Sequence, residues 1–454
     1  MKKKYITLML LSLSSLLAGC NKFLEEKSDK RLTTPATIAD LNALLQHNNM
    51  FLSFSSAGQV SSDDLYISDA DYNGLYYDSD KRLYAWQPDH VSKGVGTVGN
   101  NWQSCYSPIF VCNSVLQSLA DNNLTGTEAD KVRGQAMVLR AVRYLDGVQV
   151  WAPVYNSATA NADLGMVIRL DPDMNLQSKR ATLQQTYDQI IKDLTEAIPL
   201  LPETSTFPAI PTKAAAYGLL ARTYLFMGNY EQARNNAESA LTYNSNLIDF
   251  NKLKATDAFP LPGTKLYAPE EMLFFGTMTI NDIDINSVVR ILPDLYNLYM
   301  DGDLRKVMYF KAGKEGSFLF KGSQSRAGLF IGVTTAEQLL ILAECDARDG
   351  KLTDASTTLD KLRIKRWKAE KYTPSIFINK EEALKSIIEE RRRELAFRGL
   401  RWADLKRLNR DGANITLTRT VNGDTRTLAP NDKRYAIAIP EDVIEISKIP
   451  QNPR

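Results

Sequence analysis

Residues 212–241 read TKAAAYGLLARTYLFMGNYEQARNNAESAL. Tyr217, Leu220, Ala221 and Tyr224 fall at offsets 0, 3, 4 and 7, one face of a helix. Gly228-Asn229 breaks the pattern, and Ala233, Ala237 and Ala240, at offsets 16, 20 and 23, line a second helix. Small residues on the second helix let two antiparallel helices approach closely. This is the spacing of a tetratricopeptide-like unit. The same offsets return in 336–366 at Leu339, Leu342, Ala343, Asp346, Ala355, Leu359 and Leu362, with Gly350 as the break and Asp346 in the place of the second aromatic. A third unit is split: Ala141 and Tyr144 lie in a helix over 133–150, and its partner over 183–198 follows an insertion with Trp151, Pro153 and Pro172. A fourth pair involves the helix at 101–120 or the one at 381–397. Such units cannot bury their apolar faces alone and stack into a shared scaffold. The predicted fold is therefore mainly α, a helix-pair scaffold.

Working outward, Thr34-Pro35 starts a helix whose apolar face is Ile38, Leu41, Leu44 and Leu45. Residues 32–454 are expected to form one domain, with the scaffold mainly in 101–245 and 336–410. Segments 51–100 and 245–335 are rich in Gly, Ser, Asn, Asp and aromatics and lack helical period. They read as loops, short strands and short helices that form a ligand face, because binding usually resides on loops held by a rigid frame.

Composition excludes several classes. Lys plus Arg number 55 and Asp plus Glu 53. Removing Lys2, Lys3 and Lys4 with a leader leaves 52 against 53. Nucleic-acid binding needs a basic excess, so no nucleic-acid partner is expected, and no polybasic membrane run occurs. Only His47 and His90 are present, too few for multi-histidine metal sites. No His-Glu-x-x-His, Cys-x-x-Cys, Gly-x-Ser-x-Gly or phosphate loop is found. No catalytic residue, cofactor or metal ligand is assigned, although acidic loops leave a structural calcium ion open. No twelve-residue calcium loop occurs. By contrast there are 20 Tyr, 16 Phe and 5 Trp, which suit half-wet binding surfaces as well as cores.

The N-terminus is an address. Residues 1–4 are basic and 6–18 apolar, too short a run for a membrane span. Leu17-Ala18-Gly19-Cys20 resembles the lipobox of bacterial lipoproteins, which implies a signal peptide over 1–19, lipidation at Cys20 and a tether over 20–31. The expected product is a body held on the membrane by its N-terminal lipid alone. Cys105 and Cys112, seven apart in a predicted helix, are about 10.5 Å apart along its axis. That is too far for a disulfide, so they and Cys345 read as buried apolar thiols.

Taken together, the motifs resemble the SusD/RagB family of surface glycan-binding lipoproteins. Cys20-Asn21-Lys22-Phe23-Leu24-Glu25 is similar to the family opening. Arg133-Gly134-Gln135-Ala136 and Pro211-Thr212-Lys213-Ala214 are similar to two of its helix starts. The most specific stretch runs from Glu389-Glu390-Arg391-Arg392-Arg393-Glu394-Leu395 to Gly399-Leu400-Arg401-Trp402-Ala403-Asp404-Leu405-Lys406-Arg407, and Ile439-Pro440-Glu441 and Gln451-Asn452-Pro453 fit the ending. The resemblance implies a non-enzymatic outer-membrane protein facing the cell exterior, which captures an oligosaccharide and passes it to a SusC-like TonB-dependent β-barrel transporter. A binder of another nutrient such as peptides, or a transporter lid without its own ligand site, is the alternative. A glycosidase built on the adjacent Asp63-Asp64 is the weakest reading, because adjacent residues in extended chain point apart.

Candidate site residues follow from sugar chemistry: aromatic faces cover the C–H faces of a pyranose, and planar polar groups bond its hydroxyls. Asp64, Tyr66, Tyr84 and Asp89 are the candidates in 63–106, a segment that also holds Tyr72, Tyr76 and Tyr77. Leu83-Tyr84-Ala85-Trp86-Gln87 is similar to a stretch of the starch-binding founder of the family, which assigns Tyr84 to the glycan platform and Asp89 to a polar contact. Trp86, Trp102 and Tyr106 read as packing residues. In the second variable segment Tyr296 is the candidate, ahead of Tyr267, Tyr299, Arg305 and Phe330. Arg391, Glu394, Arg401 and Trp402 read as a structural clamp, since interleaved Glu and Arg satisfy each other at helical spacing.

Overall fold

The computed structural model describes residues 35–89, 101–205, 207, 209–263, 270–278, 283, 287–325 and 328–454. The leader, Cys20 and the tether lie outside these residues, as do His90 and Tyr267. Ten helices carry the frame: α1 (Ile38–Leu45), α2 (Asn101–Asp121), α3 (Thr127–Trp151), α4 (Leu183–Ala197), α5 (Lys213–Met227), α6 (Tyr230–Tyr243), α7 (Thr335–Arg348), α8 (Leu352–Arg363), α9 (Lys380–Glu394) and α10 (Arg401–Arg410). Consecutive helices pack as α2/α3, α3/α4, α5/α6 and α7/α8, with α4 on α5 and α6 on α7 joining the pairs. The fold is the predicted mainly helical scaffold. The fourth pair uses α2, and α9 lies across α7 and α8.

The turn between α5 and α6 shows why the sequence folds this way. Thr212 caps α5 by accepting from the Ala215 amide. Gly228 closes the helix at φ 81°, a left-handed conformation, and Asn229 then caps α6 through the Gln232 amide. Ala233, Ala237 and Ala240 are fully buried, so α6 sits directly on α5. Ala221, Leu225, Ala233, Ala237, Ile341 and Cys345 form a small core between this pair and α7. Asp346, the departure from the aromatic pattern, accepts from Arg234 Nε of α6 at 3.1 Å and so ties one pair to the next. The split unit is locked similarly: Arg140 of α3 grips Asp193 of α4 through two hydrogen bonds at 2.7 and 2.8 Å and reaches Asn113 of α2 at 2.8 Å.

Strands are short and come in five antiparallel pairs among the described residues: β1 (Leu65–Tyr66) with β5 (Arg290–Ile291), β2 (Leu164–Val167) with β3 (Arg180–Thr182), β4 (Met272–Phe274) with β8 (Val333–Thr334), β6 (Phe310–Ala312) with β7 (Phe318–Phe320), and β9 (Leu417–Val421) with β10 (Asp424–Leu428). The last is a hairpin closed by Asn422-Gly423, both with positive φ, as a two-residue turn of this kind requires. One continuous apolar core runs from Leu41 to Ile449. Cys105, Cys112 and Cys345 are free and buried, and burial pushes the Cys112 and Cys345 thiols up to about 12. No helix among the described residues is long and apolar enough to cross a membrane.

Candidate functional site

The site is built on two short helices, Asp69–Gly74 and Asp78–Tyr84, that follow β1. Ser68 caps the first through the Asp71 amide. The β9–β10 turn presses on this helix: Asn422 and Asn73 exchange amide hydrogen bonds at 2.9 and 3.0 Å, and the Asn422 amide donates to Asp69. Between the two helices Leu75 turns inward and Tyr76 turns out, 83% exposed. Its ring meets Tyr77 edge to face, with centroids 4.8 Å apart. Arg82 lies one turn into the second helix and forks between Asp78 and Asp89, each at 2.7 Å. Tyr72 is half-buried. Burial, reinforced by the Asp78 charge, raises its phenol against the pull of Arg426 and Arg82. One exposed ring, Tyr76, and two half-buried ones, Tyr72 and Tyr77, thus adjoin a carboxylate–guanidinium–carboxylate fork.

The floor beneath is ionic. Arg401 holds Asp63 through two hydrogen bonds at 2.7 and 2.8 Å, and Arg392 reaches Asp64 at 3.1 Å and the Asp63 carbonyl at 2.9 Å. Burial pushes the Asp63 carboxyl up, but Arg401 and Arg392 outweigh it and hold it well below the usual range. At Asp64 burial prevails and its carboxyl is raised. The Asp63-Asp64 pair is therefore an anchor for α9 and α10.

Several sequence expectations are corrected here. Tyr84 is not a platform: it is 1% exposed. Its hydroxyl accepts from the Ile67 amide at 3.0 Å, and its ring lies 4.2 Å from the Arg419 guanidinium, which also covers Trp86 at 4.5 Å. The second short helix turns its last residue into the core. Asp64 is buried with Arg392 and offers nothing to a ligand. Asp89 is exposed, with one oxygen on Arg82. Tyr66 is half-buried at the edge of the face, in register with Arg290, whose guanidinium is 3.8 Å from Asp71. Tyr296 is half-buried, with Phe318 stacked on its ring at 3.7 Å and the Lys306 ammonium 4.8 Å away. Tyr299, Arg305 and Phe330 are core residues.

Trp86 is buried and donates to the Ser61 carbonyl. Trp102 packs on Tyr106 at 4.7 Å, where a cavity of about 440 Å³ opens beside Phe110 on the scaffold side. The sequence reading chose Tyr84, which the structure buries, and did not single out Tyr76, which it exposes. The available signal was local, two adjacent tyrosines between helices of six and seven residues, and it did not rank Tyr76 and Tyr77 above Tyr84.

The run 389–407 is buried electrostatics. Arg391 bonds Asp404 at 2.9 and 3.1 Å, and Arg407 bonds Asp404 at 2.7 Å and Glu344 at 2.7 and 2.9 Å. Glu394 accepts from Arg305 at 2.9 Å and from Arg366 at 2.9 to 3.1 Å. Trp402 donates to the Tyr435 carbonyl and packs on its ring. Burial raises Glu344 and Glu390, but arginines outweigh it and bring both to about 2. No group of three or more His, Cys, Asp or Glu side chains among the described residues is arranged to hold a metal ion.

The fold and this face define a class: a helix-pair frame that displays an aromatic and charged patch built from short elements. Residues 22–225 match a family model described as starch-binding and associating with the outer membrane, and residues 330–445 match the model of the SusD family. The chain belongs to the SusD/RagB family. It is 24% identical over 379 residues to SusD-like protein P2 of Formosa agariphila, which spans 69% of this chain and 72% of that protein. Among solved structures, a SusD superfamily protein from Bacteroides thetaiotaomicron superposes with a TM-score of 0.73 at 19% identity, covering 92% of this chain and 100% of that one. A SusD-like carbohydrate binding protein from Bacteroides vulgatus gives 0.66 at 20% identity, covering 91% and 96%.

Proposed function

We propose that this protein binds an oligosaccharide at the cell surface and delivers it to a SusC-like TonB-dependent β-barrel transporter. It is held at the outer membrane by a lipid on Cys20 and faces the exterior. The observation that carries the reading is the exposed Tyr76 ring, packed edge to face on half-buried Tyr77, next in sequence to the Asp78–Arg82–Asp89 fork. The rings supply stacking surface for a pyranose, and the fork supplies planar donors and acceptors for its hydroxyls. Binding, not bond cleavage, is the fitting chemistry. Asp63 and Asp64 are engaged by arginines, and Asp78 and Asp89 share one.

Glycan-panel titration of the form beginning at Asn21 tests this. Tyr76→Ala with Tyr77→Ala should weaken the bound glycan about tenfold or more and leave the melting temperature unchanged, whereas Tyr84→Ala should lower the melting temperature. Full affinity in the double variant, or release of new reducing ends, sinks the proposal.

A further inference from the structure

The cavity of about 440 Å³ beside Trp102 lies between three walls: α2, β2 with the loop that follows it, and the short helix Glu441–Ser447 with the chain just after it. Small-molecule sites typically have volumes of roughly 300–1,000 Å³, and this cavity falls within that range. Its depth is apolar. Ile109, Val167 and Ile449 line it at 4% exposure or less, while Phe110 and Met174, 41% and 81% exposed, stand at its mouth. Trp102, Tyr106 and Phe110 follow one another four residues apart on α2, so their rings lie along one side of that helix. The deepest ring is held in place from both sides: Trp102 packs on Tyr106 at 4.7 Å and edge to face on Trp151 at 5.1 Å.

Most polar groups of the walls are spent inside the protein. The Tyr106 hydroxyl donates to the Val167 carbonyl at 3.0 Å and accepts from the Val167 amide at 2.9 Å. Asn113 donates to the Arg169 carbonyl at 2.9 Å and accepts from Arg140 at 2.8 Å. Ser447 Oγ donates to the Val443 carbonyl. Arg169 and Asp171 are the charged side chains of the lining, one of each sign, and loop backbone holds both. The guanidinium donates to the carbonyls of Asp173 and Leu176, and the carboxylate accepts from the Asp173 amide at 2.7 Å. Gln103, Ser107 and the Trp102 indole N–H make no hydrogen bond among the described residues and remain for a ligand. A sugar would need a free donor or acceptor for each of its hydroxyls, and an ion would need an uncompensated opposite charge. The depth of this cavity supplies neither.

We propose that the cavity binds a neutral aromatic small molecule, its ring against Trp102, Tyr106 and Phe110 and its polar edge toward Gln103 and Ser107. Contacts between rings, and between a ring and the Met174 thioether, favour an aromatic occupant over an aliphatic one. The site is separate from the Tyr76 patch, and the proposal does not depend on the glycan reading.

Calorimetric titration of the form beginning at Asn21 with naphthol, octanol and naphthalenesulfonate at neutral pH tests it. Naphthol should bind saturably and more tightly than the other two. Phe110→Ala with Met174→Ala should weaken it about tenfold, and Ser107→Arg, which fills the mouth, should weaken it about as much. Melting temperatures should stay at the parent's value in these surface variants, and naphthol affinity should persist in Tyr76→Ala with Tyr77→Ala. Absence of saturable naphthol binding overturns the proposal, as does an affinity that both mouth variants leave intact. Octanol binding as tightly as naphthol would make the site an aliphatic one, and tighter binding of naphthalenesulfonate would make it an anion site. Either result also overturns the proposal.

Discussion

Asp146 lines a small cavity of about 50 Å³ and accepts from the Ser55 amide at 3.0 Å. Burial pushes its carboxyl up to about 6, with Ser55 and Arg143 opposing. The unfolded value is near 3.9, so the folded chain takes up the proton first. This residue's contribution to stability is therefore full below about pH 4 and is lost as pH rises through about 6. Asp146→Asn keeps an oxygen for the Ser55 amide and removes the charge. Its melting temperature should exceed the parent's at neutral pH, by an equivalent of about 1–2 kcal/mol, and the two should converge in mild acid. A constant offset across the pH series contradicts this account.

Among the elements, the helix pairs were readable because their determinants are local: a period of 3.6, small residues on the inner face and a glycine break. Thr212, Gly228 and Ala237 are all visible in thirty consecutive residues. Ala237→Leu should force α6 off α5 and cost about 1–3 kcal/mol in denaturant unfolding, while Glu238→Leu on the exposed side should stay within about 0.5 kcal/mol. Equal effects would mean that the pair is not held by close approach. In the segment that carries the proposed ligand face, the sequence marked irregular structure and not which rings are exposed. Its strands of two residues and helices of six and seven have no period to read. Whether a tyrosine there points in or out is decided from afar. Tyr84 is drawn inward by Arg419, 335 residues away, and nothing near Tyr84 announces the hairpin that carries it.

For the molecule as a whole, the 389–407 stretch ties frame and face together: Arg391 and Arg407 bind scaffold carboxylates, while Arg392 and Arg401 bind Asp63 and Asp64 under the site. Glu344 and Glu390, both near 2 when folded, would sit near 4.3 when unfolded. Their contribution is present above about pH 4.3 and is lost as pH falls toward 2. Stability should drop steeply across that window, with helical signal and melting temperature falling together. Retention of full stability at pH 2 would show that the network contributes nothing net. Arg419 carries a further consequence. It donates to the carbonyls of Tyr84, Val60 and Ser62 from a hairpin near the far end of the chain. A nascent chain can stack its first helix pairs long before that guanidinium is synthesised. The proposed ligand surface must then wait for the hairpin, and a quality-control protease can meet it half-made.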